Sequence, residues 1–262
     1  MLQFTFAART ETGRVRQENQ DNFCLDGVFV PEDLLGAPAW VAGGPSGAGA
    51  LAVFDGMGGE ALGGFASLTS ASVMAQARSE LSACRTEAEV RKCALDITDR
   101  ANSAVAERSL KEGRRIGTTM AMLVFRQDAV HVFSVGDSPA FRLSGTVFEK
   151  LTPDDTYAAL LVSRGELTPA QAETDPRRNS LTQHIGMTDV ALRLHCMTGL
   201  PVAAGDRFLL CSDGLTDMVS REDTARILAA APTPQSAADS LVLAALGGGG
   251  RDNVTAMVLF VK

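Results

Sequence analysis

The sequence predicts an α+β fold, a four-layer αββα sandwich in which two central antiparallel β-sheets are flanked by helix pairs. The hydrophobic pattern runs in the order strands, two helical segments, more strands, two further helical segments and a last strand. Short turns join the strands of the middle group, which favours hairpins and therefore antiparallel pairing. The chain has 262 residues and 45% hydrophobic content, with no evident linker or repeat, which predicts a single domain over residues 1–262.

The first part of the chain predicts three strands. Residues 2–8 (LQFTFAA) alternate in the manner of a strand, and residues 22–25 form a second, shorter candidate. Residues 27–49 are rich in Gly, Pro and Ala, which favours a long connecting loop. Residues 50–55 (ALAVFD) predict a buried strand that ends abruptly at the sequence DGMGG.

A helical pattern follows from residue 61 to about residue 111, where Ala, Ser, Leu, Met and Glu dominate. A break near residues 84–86 divides this pattern into two helices. Thr86 followed by Glu89 resembles a capping box, in which each side chain accepts a hydrogen bond from a backbone N–H at the helix start. We therefore expect the second helix to begin here and the pair to form one outer layer.

The rest of the chain returns to strands and then repeats the pattern of a helix pair before a strand. Strands are predicted at residues 118–125, 130–135, 140–143, 147–151, 192–197, 207–212 and 254–261. The polar residues 152–181 include one helix-like patch. Two helices, at about 221–231 and 234–246, would form the second outer layer.

The composition argues against several classes of protein. With 24 Lys and Arg against 31 Asp and Glu, the net charge of −7 disfavours binding to nucleic acid or to an anionic membrane. The five cysteines lack the paired spacing of a zinc site or a disulfide framework, so we expect reduced thiols. Neither a signal peptide nor a run of about 20 apolar residues is evident. We expect a cytoplasmic protein without membrane attachment, and a monomer.

Five aspartates stand at predicted strand ends, each close to a glycine or an asparagine. They are Asp21 in ENQDN, Asp55 in VFDGMGG, Asp137 in SVGDS, Asp213 in LCSDGL and Asp252 in GGRDNVT. A strand that buries its length and ends in aspartate projects a carboxylate just outside the rim of its sheet, where several such strands can converge. An Asp-Gly pair is also ordinary turn chemistry, and any one pair taken alone favours a turn.

Converging carboxylates repel one another, and several ionised groups without partners would cost several kcal/mol. A cation is therefore expected among them. Carboxylate oxygens, backbone carbonyls and water are the ligands that hard divalent ions such as Mg²⁺ and Mn²⁺ prefer. The neighbouring glycines allow a backbone carbonyl to approach such an ion closely.

Seven stretches then occur in a set order along the chain. They are GRVRQENQDN, AVFDGMGG, GTTMAML, VFSVGDSPAFRL, RGELTPAQAETDPRRNSLTQHIG, FLLCSDGLTDMV and GGRDNVTAMVL. With them the chain resembles the metal-dependent protein phosphatases of type 2C (PPM) in their bacterial Ser/Thr phosphatase form. The resemblance spans residues 13–259, and DGMGG, SDGL and RDNVT in this order are a specific combination. It implies the same αββα sandwich that the order of elements predicts.

The resemblance also implies metal ligands. Asp55 would bridge two core ions, Mn²⁺ or Mg²⁺, and the carbonyl of Gly56 would complete the second. Asp213 and Asp252 would bind the first ion. Asp21 would hold water in the shell of the second ion.

Three further roles follow from the same resemblance. Asp137 would belong to a third, weaker metal site, although Pro139 stands where the family usually has arginine. Arg16, five residues before Asp21, would bind the substrate phosphate with its planar, bidentate guanidinium. Residues 165–186 would form a flap beside the active site that influences the choice of substrate.

The implied activity is hydrolysis of phosphoserine and phosphothreonine in proteins by a metal-activated water, with Arg16 and Asp55 as catalytic residues. A Ser/Thr kinase or its substrates would be among the partners. One alternative is a catalytically weak binding or sensor module on the same fold, and another is an anti-sigma-antagonist phosphatase. All five aspartates and Arg16 are present, which favours the enzyme. The GRVRQENQDN stretch fits the anti-sigma-antagonist branch less well.

Overall fold

Two six-stranded sheets form the centre of the structure, a computed structural model that describes residues 2–34, 39–46, 49–126 and 128–262. The first sheet contains, in spatial order, β11 (Val147–Lys150), β10 (Ala140–Ser144), β13 (Arg207–Cys211), β14 (Val254–Val261), β1 (Phe4–Glu11) and β4 (Ala39–Ser46). The second contains β12 (His195–Pro201), β9 (Ala129–Val135), β8 (Met120–Arg126), β5 (Ala50–Phe54), β2 (Asn22–Leu25) and β3 (Val28–Phe29). A short ladder joins β6 (Gly56–Met57) to β7 (Gly117–Thr118).

Helices cover the outer face of each sheet. The helices are α1 (Glu60–Gln76), α2 (Arg78–Ala83), α3 (Glu87–Glu112), α4 (Tyr157–Ser163), α5 (Pro169–Ala172), α6 (Asp213–Thr216), α7 (Arg221–Ala230) and α8 (Pro234–Gly247). Buried side chains of α1 and α3 pack on the second sheet, and those of α7 and α8 pack on the first. The predicted four-layer αββα sandwich is therefore confirmed, with antiparallel pairing between the strands.

The central apolar layer lies between the two sheets. Its members come from both sheets, and Phe125 of β8 lies 5.0 Å from Phe4 and 5.3 Å from Phe208, measured between ring centroids. Each fully buried aromatic or aliphatic side chain of this kind contributes about 1.5–3 kcal/mol to folding. The sheets therefore form a firm base for the loops at their ends.

The start of α3 agrees with the predicted capping box. The Thr86 side chain accepts a hydrogen bond from the backbone N–H of Glu89, and the Glu89 carboxylate accepts one from the N–H of Thr86. Gly113 ends the helix in the left-handed conformation that glycine adopts without steric cost.

The segment predicted as a long connecting loop, residues 27–49, is partly a strand. Residues 35–38 and 47–48 of this segment lie outside the described residues, but Ala39–Ser46 forms β4 and pairs antiparallel with β1. The loop prediction was therefore wrong here. Glycine and proline are tolerated in β4 because it lies at the edge of its sheet, where one side needs no ladder of hydrogen bonds.

Two smaller differences concern the polar middle of the chain. Residues 152–181 contain two helices, α4 and α5, where the sequence indicated one helix-like patch. The strand expected at 192–197 begins at His195 and continues to Pro201.

Among the described residues, none of the helices combines the length and the apolar character that crossing a bilayer requires.

Candidate active site

The register of the two sheets brings the predicted aspartates to one end of the sandwich. In the second sheet Asn22 of β2 pairs with Phe54 of β5, and β9 ends on the same side because β8 runs antiparallel to both β5 and β9. In the first sheet Cys211 of β13 pairs with Ala256 of β14. The aspartates are Asp21, Asp55 and Asp137 from the second sheet, and Asp213 and Asp252 from the first.

A cleft of about 480 Å³ opens at this end of the sandwich. We call it the carboxylate cleft, and it is lined by Arg16, Asp55, Asp137, Asp213 and Asp252, together with the backbone of Gly56. Asp21 is buried beneath it, with 1% of its surface exposed. Every site residue predicted from the sequence therefore lies at the cleft or directly under it. Their individual roles stay predictions.

Asp55 is at the electrostatic centre of the group. Burial raises the pKa of its carboxyl well above the usual value, and the charges of Asp21, Asp213, Asp137 and Asp252 raise this pKa further. Four neighbouring carboxylates act on one group because the strands that carry them end at the same place. A proton or a cation must neutralise part of this charge, and carboxylate oxygens are ligands that divalent cations accept.

Asp21 is held by one of its two carboxylate oxygens. Ser212 Oγ and Thr255 Oγ1 each donate a hydrogen bond of 2.7 Å to Asp21 Oδ2. The other oxygen, Oδ1, is buried and has no hydrogen-bond partner among the described residues. Burial raises the pKa of Asp21 to about 7, although the two hydroxyl groups lower it. A buried, unsatisfied carboxylate oxygen is costly unless something binds it.

Two further carboxylates of the cleft, those of Asp137 and Asp213, also have a raised pKa. Burial and the charge of Asp213 raise the pKa of Asp137 to about 8. Burial and the charges of Asp252 and Asp217 raise the pKa of Asp213 to about 6, while a hydrogen bond with Asp55 lowers it. Both groups are destabilised in their charged form, and a divalent cation would reverse that effect.

The residues fit divalent ions by their chemistry. The donors are carboxylates, one with an unsatisfied buried oxygen, and these are the ligands that Mn²⁺ and Mg²⁺ accept. As the side chains are placed, no three acidic, histidine or cysteine groups among the described residues form a complete set of ligands. The fit therefore rests on the donor chemistry, on the repulsion within the cleft and on Asp21 Oδ1.

Three hydroxyl groups that were not predicted as site residues hold the loops of Asp55 and Asp137. Thr119 Oγ1 accepts a hydrogen bond from the backbone N–H of Asp55 at 3.0 Å. It also shares a buried hydrogen bond of 2.6 Å with Ser138 Oγ, next to Asp137. The Thr118 hydroxyl donates to the carbonyl oxygen of Asp55 at 2.8 Å. These residues lie inside the stretches GTTMAML and VFSVGDSPAFRL. Those two stretches were the feature of the sequence from which the residues could have been predicted.

Asn253 positions the loop that carries Arg16. Its Nδ2 donates hydrogen bonds of 2.8 Å to the carbonyl oxygens of Thr12 and Glu18, and its Oδ1 accepts one from the N–H of Gln20. The loop is thus fixed on both sides of Arg16 by the residue that follows Asp252. The asparagine of RDNVT therefore has a structural role, which is to fix the loop of Arg16.

Arg16 is paired with one of the predicted metal ligands. Its Nη2 donates to Asp252 Oδ2 at 2.7 Å, and this hydrogen bond raises the pKa of the guanidinium. The side chain of Arg16 is 56% exposed, so a substrate can reach it. The guanidinium already partly neutralises the cleft in the absence of other cations.

Glycine is required at two places because the backbone approaches closely there. A Cβ atom at Gly56 would lie 2.2 Å from the carbonyl oxygen of Gly63 and 2.6 Å from that of Gln20. A Cβ atom at Gly214 would lie 1.9 Å from the carbonyl oxygen of Asn253. The glycine after Asp55 and the glycine after Asp213 therefore let the loops of the cleft pack together.

Asp155 is another residue that sequence reasoning missed. Its Oδ2 accepts a hydrogen bond from the N–H of Gly136, and its own N–H donates to the carbonyl oxygen of Gly136, next to Asp137. Its Oδ1 is paired with Arg193 at 3.0 Å and with His195 Nε2 at 2.9 Å. The side chain of Asp155 is almost fully buried, so this network fixes the loop of Asp137 against β12.

The predicted flap lies beside the cleft. Residues 179–181 line the carboxylate cleft, and isolated bridges join Thr156 to Leu181 and Thr118 to Ile185. The flap is therefore attached to the body of the protein at its C-terminal end. Its position is suited to contact with whatever enters the cleft.

Comparison with known proteins gives a consistent picture. The family model described as Protein phosphatase 2C matches residues 33–244. The chain is 34% identical over 262 residues to the serine/threonine protein phosphatase PstP of Mycobacterium tuberculosis, covering 98% of this chain and 45% of that protein. It is 30% identical over 253 residues to the serine/threonine phosphatase stp of Listeria monocytogenes, covering 96% of this chain and 93% of that protein. The chain thus spans about half the length of PstP.

A solved structure shares the fold. The catalytic domain of PstP, in complex with two manganese ions, superposes with a TM-score of 0.77 at 30% identity, covering 100% of this chain and 99% of that one. The matched family model covers residues 33–244, which is more than half of the chain. The chain therefore belongs to the protein phosphatase 2C family.

Proposed function

We propose that this chain is a metal-dependent serine/threonine protein phosphatase that hydrolyses phosphoserine and phosphothreonine. The observation that carries the proposal is the convergence at Asp55, whose pKa is raised by burial and then by the charges of four other aspartates. A metal-dependent phosphatase needs a site for divalent cations beside a site for a phosphate, and the carboxylate cleft offers clustered carboxylates next to the exposed Arg16. The names of the relatives, and the manganese ions in the PstP structure, support the same reading.

The ligands that we propose are the aspartates of the cleft and the Gly56 carbonyl. When bound, divalent ions supply charge neutralisation and an activated water as the nucleophile. Asp55 would be shared between two ions, because it lies among all the other carboxylates. Asp213 and Asp252 would bind one ion, and the unsatisfied oxygen of Asp21 would face the shell of the other. Asp137 would serve a third ion.

Arg16 would bind the substrate phosphate. It lies in the cleft with an exposed guanidinium, and its partner Asp252 would be drawn toward an ion when one is present. The planar group can then donate two parallel hydrogen bonds to phosphate oxygens. This bidentate contact would orient the phosphate in the cleft.

The proposed partners are phosphoproteins, among them a Ser/Thr kinase or the substrates of that kinase. The support is the family and the names of the two relatives described above, both of which are bacterial proteins. Mg²⁺ is proposed beside Mn²⁺ because the same oxygen ligands suit both ions.

The test is a metal-dependent assay. Protein stripped with EDTA and then dialysed should turn over neither p-nitrophenyl phosphate nor a phosphothreonine peptide, and added Mn²⁺ or Mg²⁺ should restore both activities. Full activity in excess EDTA would contradict the proposed mechanism. Metal binding without any phosphatase activity would favour the sensor-module alternative.

A further inference from the structure

A second cleft adjoins the carboxylate cleft. It has a volume of about 530 Å³ and lies between the C-terminal end of α3 and residues 181–190. We call it the arginine cleft and define it by Leu110, Arg114, Arg115, Leu181 and Val190. Arg115 and Leu181 also line the carboxylate cleft, so the two clefts meet at these residues. A chain that places a phosphate in the first cleft can therefore extend into the second.

Arg115 is fixed at the junction by two uncharged partners. Its Nε donates to His184 Nε2 at 2.9 Å, and its Nη2 donates to the carbonyl oxygen of Leu181 at 3.1 Å. Burial lowers the pKa of His184, and its Nδ1 lies 3.0 Å from the carbonyl oxygen of Ile185. The neutral tautomer with hydrogen on Nδ1 satisfies both contacts. Neither partner neutralises the positive charge of Arg115.

Arg114 adds a second cation without a carboxylate partner. In the part of the chain that the structure describes, its side chain makes no ion pair or hydrogen bond, whereas many other arginines of this acidic protein are paired. The acidic residue of the arginine cleft, Asp189, accepts a hydrogen bond from Thr188 at 3.2 Å. Two arginines against one aspartate leave an excess of positive charge in the cleft.

The same cleft also exposes apolar surface. Leu110 and Val190 are 70% and 60% exposed. Both side chains line the arginine cleft, so a polypeptide bound there would contact them. Aliphatic contacts next to guanidinium groups without a carboxylate partner suit a polypeptide that carries a carboxylate.

The cleft on the other side of the site has a different charge. It has a volume of about 530 Å³ and shares Asp137, Asn179 and Asp213 with the carboxylate cleft. Two of its three cations are paired with carboxylates, and the third donates to a backbone carbonyl oxygen. Lys150 pairs with Asp154, Arg178 pairs with Asp217, and Arg221 donates to the carbonyl oxygen of Phe148. Five acidic residues against three cations line this cleft, so an excess of positive charge lies on the side of the arginine cleft.

We propose that the arginine cleft binds the polypeptide of the phosphoprotein substrate on one side of the phosphorylated residue and selects an acidic side chain there. Arg114 and Arg115 would pair with the substrate carboxylate, and Leu110 and Val190 would contact the adjacent chain. This inference rests on the proposed phosphatase function. The inference adds a substrate class to that function, namely phosphoserine or phosphothreonine with an acidic residue on one side of it in the polypeptide.

The test compares three phosphothreonine peptides that carry two glutamates before the phosphothreonine, two glutamates after it, or alanines at all four positions. We measure kcat/KM with Mn²⁺ for the wild type, for Arg114→Glu and Arg114→Ala, and for Arg85→Glu. Arg85 is an exposed arginine in the connection between α2 and α3, so Arg85→Glu makes the same change of charge outside the clefts. Thermal melting checks that each variant is folded, and p-nitrophenyl phosphate reports on the carboxylate cleft itself.

The wild type should prefer one of the two glutamate peptides over the alanine peptide by about fivefold, because two charges contribute at an exposed site. Arg114→Glu should abolish this preference, Arg114→Ala should reduce it, and Arg85→Glu should keep it. Equal rates on all three peptides would overturn the inference while the phosphatase function stands. An equal loss in Arg85→Glu would assign the preference to net charge and also overturn it. Inactivity of the wild type on every substrate, p-nitrophenyl phosphate included, would refute the proposed function itself.

Discussion

In the folded protein, burial and four neighbouring aspartates destabilise the ionised carboxylate of Asp55. This arrangement lowers the stability of the fold but suits the binding of cations. Residues selected for function often lower stability in this way. Without ions, replacing Asp55 by an uncharged residue of the same shape should therefore make the protein more stable. With ions, the same replacement should remove the shared ligand.

Asp55→Asn tests both effects. In EDTA we expect Tm to rise by about 2–4 °C, the shift that about 1 kcal/mol produces in a chain of this size. With saturating Mn²⁺ we expect kcat to fall at least tenfold, a loss of about 1.4 kcal/mol in transition-state stabilisation. Melting curves and steady-state kinetics measure the two quantities. A fall in Tm without ions, or a nearly unchanged kcat, would contradict the central position of Asp55.

Arg16 differs from the aspartates because it faces the substrate. Arg16→Ala should raise KM for a phosphopeptide without loss of affinity for Mn²⁺, since its partner Asp252 is left free for an ion. Arg16→Lys should recover part of the loss, because an ammonium group cannot donate in a planar fork. Steady-state kinetics measure KM, and a calorimetric titration measures the affinity for Mn²⁺. Arg14→Ala, a change at an exposed neighbour, is the control. A large loss of metal binding would instead make Arg16 a structural residue of the metal site.

At this scale, the aspartates and Arg16 could be predicted from sequence because each stands in a short motif with its own signal. The residues that hold them could not be predicted in the same way. Asn253 binds Gln20 across 233 positions, and Asp155 binds His195 across 40 positions. Such contacts depend on the packing of distant loops, and a single sequence carries no direct signal for them.

Among the elements, α3 illustrates how a local signal can fix a boundary. Its capping box satisfies two backbone N–H groups at the helix start. Thr86→Ala should lower the free energy of unfolding by about 1 kcal/mol and Tm by about 2–4 °C. Thr168→Ala removes a similar box from α5, a four-residue helix without buried residues, and should lower Tm less. Equal falls in Tm for the two variants would mean that the cap of α3 contributes no more to stability than the cap of α5.

The strand β4 illustrates the opposite case. Its composition of Gly, Pro and Ala is typical of a loop, and its pairing with β1 is a long-range contact at the edge of the sheet. Propensity is weak evidence at such an edge, because the neighbouring strand supplies the hydrogen bonds. The long, apolar strands β5 and β14, which are buried throughout, were by contrast predicted to within a residue.

For the whole molecule, the two sheets meet twice, through the apolar layer between them and through the aspartates at one end. Three of these aspartates belong to the second sheet and two to the first. The apolar layer favours the stacking of the sheets, while the carboxylates oppose it locally. Cations in the carboxylate cleft would turn this repulsion into a link between the sheets.

A bound ion should therefore stabilise the entire fold, because the unfolded chain cannot present carboxylates from two sheets at one point. At about a hundred times the dissociation constant, the stabilisation is about 2.7 kcal/mol, which corresponds to a rise in Tm of about 5–10 °C. We expect this rise when Mn²⁺ is added to EDTA-treated protein in a melting experiment. Asp213→Asn should remove most of it, whereas Asp99→Asn, an exposed change on α3, should leave it intact. A rise that survives Asp213→Asn, or that Asp99→Asn also removes, would mean that Mn²⁺ acts elsewhere on the acidic surface.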